Sequence, residues 1–466
     1  MSEYFLAVDI GASSGRHILG SIEDGKLVLE EVHRFKNGMV EKDGHKVWEK
    51  ERLFDEIKAG MKKCRQIGKI PKSMGIDTWA VDYVLIDENG NDVSDAAGYR
   101  DSRTDSVDEL VYKIIPEAEL YARTGIQKQK FNTIYQLMAE KTQNPGRLEA
   151  ADKMLLIPDY FNFRLTGKKY AEYTNASTTQ LVSPETKKWD MQLIDMLGYP
   201  AKIFPEIIEP GTAVGELSPE IAAELGYNCT VIAPPTHDTA SAVAAVPANE
   251  GENVLYISSG TWSLMGTELL KADCSEAAAA ANFTNEGGVN YRFRFLKNIM
   301  GMWMINSAKA ILAPDMGFGE MCDMAAKESI ASIVDCNDDR FLAPENMVIE
   351  VQNACAETGQ QVPEGMYEVA CVIYNSLAQC YAETAREVEE ITGLNFDKIR
   401  IIGGGSNAVY LNRLTAKASG KAVYAGPTEG TAIGNLAMQM IAAGRFEGLW
   451  DARKCIARSF EIKVFE

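Results

Sequence analysis

The sequence predicts an α/β protein built as two lobes. Three features carry that expectation. A strand that breaks into a glycine/serine turn and resumes as a second strand occurs twice, once near the start of each half. Strand and helix patterns alternate through both halves. The 466 residues also exceed what one core of about 150 to 200 residues can organise.

The first turn lies in FLAVDIGASSGRHILG, residues 5–20, with strands expected at 5–9 and 17–22. A third strand at 27–34 and a helix at 49–66 follow, a meander with a covering helix. SMGIDTWAVDYVLID, residues 73–87, reads as one strand bent at Trp79, ended by the turn residues ENGN. Helices and loops continue to a proline-rich stretch at 200–219. VIAPPTHDTASAV, residues 231–243, reads as strand, turn and helix: its prolines hold an extended entry, and Thr236 or Asp238 is placed to cap the helix.

PANEGEN, residues 247–253, is polar and marks a boundary, giving lobes 1–246 and 247–466. VLYISSGTWSLMG, residues 254–266, holds the second turn. Ile373, Leu377, Cys380, Thr384, Val388 and Ile391 recur at three- and four-residue steps, one face of a helix that Gly393 stops. KIRII then forms a strand ending in Gly403, Gly404 and Gly405, with a helix over 407–419. A triple glycine after a strand lets a backbone or a flat ring approach closely.

The apolar fraction of 46% and charged fraction of 24% are those of an ordinary globular enzyme. The formal net charge of −19 argues against nucleic-acid and anionic-membrane partners, because such a field repels phosphate backbones. An anionic ligand must be captured locally. Nine cysteines include no CxxC pair and the four histidines are scattered, so no zinc-type spacing exists. Cys355 and Cys371 are close enough in sequence to leave a disulfide open, although reduced thiols are the default in a reducing compartment. With no leader pattern and no run of about 18 apolar residues, the expected location is cytoplasmic.

In both turns small residues (Gly11, Ala12, Ser13, Ser14 and Gly15; Ser258, Ser259, Gly260 and Thr261) allow successive amides to point at one anion. A pair of such turns suits a polyphosphate clasped in a cleft between lobes. The turn at 11–15 leads into a strand rather than a helix, which excludes a Rossmann fingerprint, and no G-x-x-x-x-G-K-[ST] occurs. Arg16 is a fixed cation beside the first turn. Asp9, at the end of the first strand, is placed either to hold Mg²⁺ through its carboxylate and water or to satisfy turn amides. Spacing alone leaves Asp238 equally open as a general base or a helix cap.

GIDTWAVDYVLID, YRDSRT, FNTIYQL, LIPDYFNFRLTG, EYTNASTTQL, THDTASAV, SSGTWSLMG and LKNIMGMW, in that order, resemble the FGGY carbohydrate kinases, of the superfamily that includes actin, Hsp70 and hexokinase. The resemblance covers nearly the whole chain. It implies two duplicated actin/hexokinase-like, ribonuclease H-like lobes with an ATP and sugar cleft between them. It also implies ATP-dependent phosphorylation of a ketose with Mg²⁺, L-rhamnulose at its 1-hydroxyl before L-fuculose or a ketopentulose. The partners are then a small sugar and ATP, with monomer and homodimer both open.

The resemblance assigns Asp238 as the base, with Ala80, His237, Thr239 and Asn298 at the sugar. It puts Ala12, Ser13, Ser14, Gly15, Arg16, Thr261 and Asn306 on ATP and Gly404 against the adenosine. Three positions depart from the family pattern: Ala80 stands where glycine is usual, and Asn306 and Asn407 where glutamine is usual. Trp79, Asp82, Arg100 and Asp101 are candidate pocket walls. A nucleotide-driven chaperone- or filament-like protein would share both turns and the triple glycine. It would lack THDTASAV and the other sugar-side segments.

Overall fold

The computed structural model describes residues 3–342 and 344–466. They form two compact units that interleave along the chain. Unit 1 takes Met1–Ala245, Leu269–Phe295 and Thr431–Ser459; unit 2 takes Val246–Glu268, Leu296–Gly430 and Phe460–Glu466. Sequence alone draws one boundary at 246/247, whereas the chain re-enters unit 1 twice after it.

In unit 1, β1 (Tyr4–Ile10), β2 (Ser14–Glu23) and β3 (Lys26–Lys36) form the meander. They continue into a six-stranded sheet through Pro71–Thr78, Thr230–Ile232 and Ala213–Glu216. β1 pairs antiparallel with β2, setting Asp9 opposite Arg16, and parallel with Pro71–Thr78, setting Asp9 beside Asp77. Period-2 alternation sends Leu6, Val8 and Ile10 to the face covered by α1 (Lys50–Gln66). There they join Leu53, Phe54, Ile57 and Met61, each fully buried apolar side chain contributing about 1.5–3 kcal/mol. The opposite face receives the helix Gly430–Ala442, whose Leu436 fills the space a Cβ at Gly20 would take.

Unit 2 repeats the local plan. Leu255–Ser259 pairs antiparallel with Ser263–Leu269 and parallel with Lys398–Ile402. Lys398–Ile402 in turn pairs parallel with Ala422–Ala425, and Lys463–Phe465 closes the edge antiparallel. Each unit thus places a tight hairpin beside a parallel strand. The long helix Gly365–Thr392 packs on Val409–Ser419 and ends at Gly393, whose φ of 68° is the left-handed stop that glycine permits.

Three local expectations are corrected. The single bent strand over 73–87 is two strands, Pro71–Thr78 and Tyr83–Ile86, in different sheets. The break falls at Val81, where φ is +68° and the Asp82 amide donates to the Ala80 carbonyl at 2.9 Å, a γ-turn around a β-branched residue. The helix after THD starts at Asp238 with His237 as its N-cap and no side-chain cap bond, so neither Thr236 nor Asp238 caps it. The last helix of the triple-glycine segment begins at Val409, after a 3-10 turn over Gly404–Asn407. Cys355 and Cys371 are both free and buried. Among the described residues no helix is long and apolar enough to cross a membrane.

Candidate active site

The first hairpin is tied from both ends. The Gly11 amide donates to Ser14 O at 2.9 Å, and Asn37 holds the turn through its amide to Ser13 O and its Nδ2 to Gly11 O, at 3.0 and 2.8 Å. Gly15 is required by space, since a Cβ there would lie 2.1 Å from the Phe35 ring. Ala12, Ser14 and Arg16 are partly exposed and Ser13 is exposed, so an anion can reach this turn.

Behind the turn the sheet register gathers charge. Arg16 meets Asp9 Oδ2 through Nε at 2.9 Å and through Nη2 at 2.8 Å. Asp77, on the neighbouring strand, accepts from Asn435 Nδ2 at 2.6 Å. Burial, and then the Asp9 carboxylate, pushes the Asp77 carboxyl well above its usual range.

The THD turn is bolted to the sheet. The Thr78 amide donates to Thr236 O at 2.9 Å, and Thr78 bridges His237 as a parallel neighbour. Buried Glu172 accepts from the Thr236 amide and hydroxyl at 2.9 and 2.7 Å and from the Thr174 amide and hydroxyl at 2.9 and 2.5 Å. Burial still pushes the Glu172 carboxyl up, against those donors.

Asp238 Oδ1 accepts from the Thr239 amide at 2.5 Å and from its hydroxyl at 3.1 Å. Its side chain keeps 32% of its surface accessible, so a substrate hydroxyl can reach it, while the dense protein around it pushes its carboxyl up. His237 opposes that shift, and the Asp9 carboxylate adds to it. His237 Nε2 stands 3.5 Å from Asp238 Oδ1, and Nδ1 on the other edge of the ring meets Arg294 Nη2 at 3.1 Å.

On the sugar-side segments, Asp82 Oδ2 collects the indole donors of Trp48 and Trp79, at 2.7 and 3.0 Å, and the Tyr99 amide at 3.0 Å. Gln136 Nε2 reaches Asp82 Oδ1 at 3.0 Å, and the Val81 carbonyl is held by Thr133 Oγ1 at 2.7 Å. The two indoles lie 3.9 Å apart between ring centroids. Ala80 is partly exposed at the start of this turn, while Trp79 and Asp82 are buried. Asp101 is buried, caps the short turn at Ser102–Thr104 and accepts the Lys46 amide at 2.8 Å. Arg100 lies with its guanidinium 5.5 Å from the Tyr99 ring centroid.

In unit 2 the second hairpin is held by Gly260 N to Trp262 O and by Trp303 N to Thr261 O, both 2.8 Å. Beneath it, Tyr381 hydroxyl and Ser263 Oγ are 2.6 Å apart, and Ser263 Oγ lies 3.4 Å from Ser259 Oγ. The triple glycine closes on the same serine: a Cβ at Gly405 would sit 1.9 Å from Ser259 Oγ. Gly404 is exposed, with nothing near its missing Cβ, so a flat ring can lie against it. Asn306 is partly exposed on the helix Met302–Leu312, and Asn298 is partly exposed on the strand Phe293–Ile299. Asn407 Nδ2 reaches Thr428 Oγ1 at 3.3 Å.

Within unit 1 the structure brings Asp9, Arg16, His237, Asp238 and Thr239 onto neighbouring sheet ends. Thr261, Asn298, Asn306 and Gly404 belong to unit 2. Sequence reasoning missed Glu172, Glu286, Arg294 and Asn435. An arginine between Phe293 and Phe295 in a strand was a signal available for one of them.

The model of the N-terminal domain of the FGGY family of carbohydrate kinases matches residues 4–245, and that of the C-terminal domain matches residues 255–443. The chain belongs to the FGGY family of carbohydrate kinases. It is 50% identical over 465 residues to a rhamnulokinase of Oceanobacillus iheyensis, covering 100% of this chain and 98% of that one. It is 45% identical over 464 residues to a rhamnulokinase of Bacillus subtilis, covering 99% and 95%. Among solved structures, xylulose kinase from Lactobacillus acidophilus superposes with a TM-score of 0.81 at 18% identity, covering 99% of this chain and 93% of that one. Glycerol kinase from Plasmodium falciparum with ADP gives 0.77 at 16%, covering 99% and 94%. At those identities the likeness is one of fold alone, a two-domain α/β architecture.

Proposed function

We propose that this FGGY kinase transfers the terminal phosphoryl group of ATP to the 1-hydroxyl of L-rhamnulose, giving L-rhamnulose 1-phosphate and ADP in L-rhamnose catabolism. The observation that carries the reading is the identity of 50% to a rhamnulokinase along the whole chain. A cytoplasmic location accords with that role.

Phosphoryl transfer to an alcohol needs alignment, neutralisation of phosphate charge and an acceptor for the hydroxyl proton. Asp238 is the base: it is reachable, and its surroundings raise its affinity for a proton above that of an ordinary aspartate. As the alcohol oxygen bonds to phosphorus, its proton passes to the Asp238 carboxylate. His237, Thr239, Ala80 and Asn298 hold the sugar. Ala12, Ser13, Ser14, Gly15 and Arg16 hold phosphate oxygens in unit 1. Thr261 and Asn306 contact ATP in unit 2, and Gly404 lies against the adenosine.

Among the described residues no group of three or more His, Cys, Asp or Glu forms a metal cage. Mg²⁺ needs none, because it takes one or two carboxylates plus phosphate and water oxygens, and Asp9 offers such a carboxylate beside the phosphate turn. Bound there, the ion would neutralise charge on the phosphates.

Coupled ADP release over a panel of ketoses tests the assignment. L-Rhamnulose is expected to lead L-fuculose and ketopentuloses by at least about tenfold in kcat/KM, roughly 1.4 kcal/mol of transition-state binding. Equal rates across the panel would remove L-rhamnulose as the substrate and leave a less selective sugar kinase.

A further inference from the structure

Behind His237 lies a buried pair of opposite charges that the transfer chemistry above does not use. Arg294 is fully buried on the strand Phe293–Ile299, and its Nε donates to the Gly287 carbonyl at 2.8 Å. Its Nη2 lies 3.0 Å from Glu286 Oε2 and 3.1 Å from His237 Nδ1. We propose that Arg294, with Glu286 as its counter-charge, is a positioning residue that fixes His237 as the Nε2–H tautomer and so presents that proton to the Asp238 side of the ring. The inference rests on the kinase reading for its consequence, but not for its geometry.

A guanidinium has only donors, so the ring nitrogen that meets it must carry the lone pair. That leaves the ring proton on Nε2, the nitrogen 3.5 Å from Asp238 Oδ1. The rival arrangement has Nδ1–H donating to Glu286 Oε2, 3.3 Å away. Oε2 makes no hydrogen bond of good geometry to either group, and the guanidinium, at 3.0 Å against 3.3 Å for the ring nitrogen, is its nearer partner. Burial by itself would lift the Glu286 carboxyl, yet Arg294 and then His237 hold it below the usual range, which keeps it an anion matched to the guanidinium.

The charged groups around the ring are therefore Asp238 on its own helix, Glu286 from Thr284–Gly287 and Arg294 from the strand beyond; Asp9 acts on Asp238 in turn. With the opposite tautomer a lone pair would face the Asp238 carboxylate, repelling it and removing the donor available to a sugar hydroxyl. Fixing the tautomer thus serves both the base and the substrate.

The test needs neither sugar nor ATP. The four histidines make long-range ¹H–¹⁵N spectra of the ¹⁵N-histidine-labelled full chain tractable, with His237 assigned by its loss in His237→Asn. At about pH 7.5 the His237 pattern is expected to be that of Nε2–H with an unprotonated Nδ1; a proton on Nδ1, in the neutral ring or the imidazolium, would overturn the proposal. Arg294→Met is expected to move the proton to Nδ1, towards Glu286, and an unchanged Nε2–H pattern would show that Arg294 does not set it.

If that variant does not fold, the spectrum of the unaltered chain still decides the tautomer. Arg294→Lys, which keeps a donor, is expected to retain Nε2–H and to leave the ketose KM within about twofold of the unaltered chain's, whereas Arg294→Met, where it folds, raises the ketose KM about tenfold with the ATP KM unchanged. Equal changes in both KM values would mark a merely structural role. Failure of the chain to phosphorylate any ketose would overturn the functional reading and leave the spectra untouched.

Discussion

Glu172 Oε2 accepts both the amide and the hydroxyl of Thr236, at 2.9 and 2.7 Å, and so joins a helix start near residue 172 to the turn that carries Asp238. A carboxylate is suited to this place because every partner there is a donor, and two oxygens with several lone pairs satisfy them all.

Glu172→Gln replaces one acceptor oxygen with a donor and sets it against the Thr174 or Thr236 donors. A loss of about 2 kcal/mol is expected, seen as a fall in Tm of roughly 4–8 °C. Turnover should fall with it, because the turn bearing Asp238 loses its anchor. Calorimetry and steady-state kinetics check this together; an unaltered Tm would mean that the carboxylate is not the clamp.

The buried Asp82 carboxyl is pushed up to about 6 by burial, which outweighs the Trp48 and Gln136 donors that pull it down. Its folded value lies above the unfolded one, so the folded chain holds an extra proton between them. The associated stability is present at low pH and is lost as pH rises through that window, on the order of 3 kcal/mol in all. Urea midpoints followed across the window for the unaltered chain and for Asp82→Asn should differ in slope, the variant lacking the decline. Parallel curves would show that Asp82 is not the titrating group.

Space at two glycines predicts opposite tolerance. A Cβ at Gly434 would lie 1.7 Å from the Ser241 carbonyl oxygen, a backbone atom that cannot swing away, whereas at Gly11 the nearest atom is 3.6 Å off. Gly434→Ala is expected to cost about 3 kcal/mol or more and Gly11→Ala less than about 0.5 kcal/mol. Denaturant unfolding ranks them, and a tolerant Gly434 would contradict the helix placement.

What sequence made legible was local. The small-residue turns at Ser13 and Thr261, the apolar step ending at Gly393 and the strand–glycine–helix at Gly404 are each set by neighbours a few residues away, and the fold class followed from their repetition. The supports of the site are not local. Glu172 and Thr236 are 64 positions apart, and His237 and Arg294 57 apart, so only the packed sheet brings them together. The Val81 turn escaped for a related reason: a β-branched residue at positive φ is tolerated there because Thr133 and Gln136 hold its carbonyl from a distant helix. Helix capping after Thr236 was misread because Thr236 spends its hydroxyl on Glu172 instead.

Turnover of Asp238→Asn with ATP and L-rhamnulose tests the central claim most directly. The variant keeps the size of the side chain and removes its capacity to take a proton, so kcat should fall by about 10² to 10⁴ while the protein stays folded and still binds both substrates. Turnover near that of the unaltered chain would contradict the account.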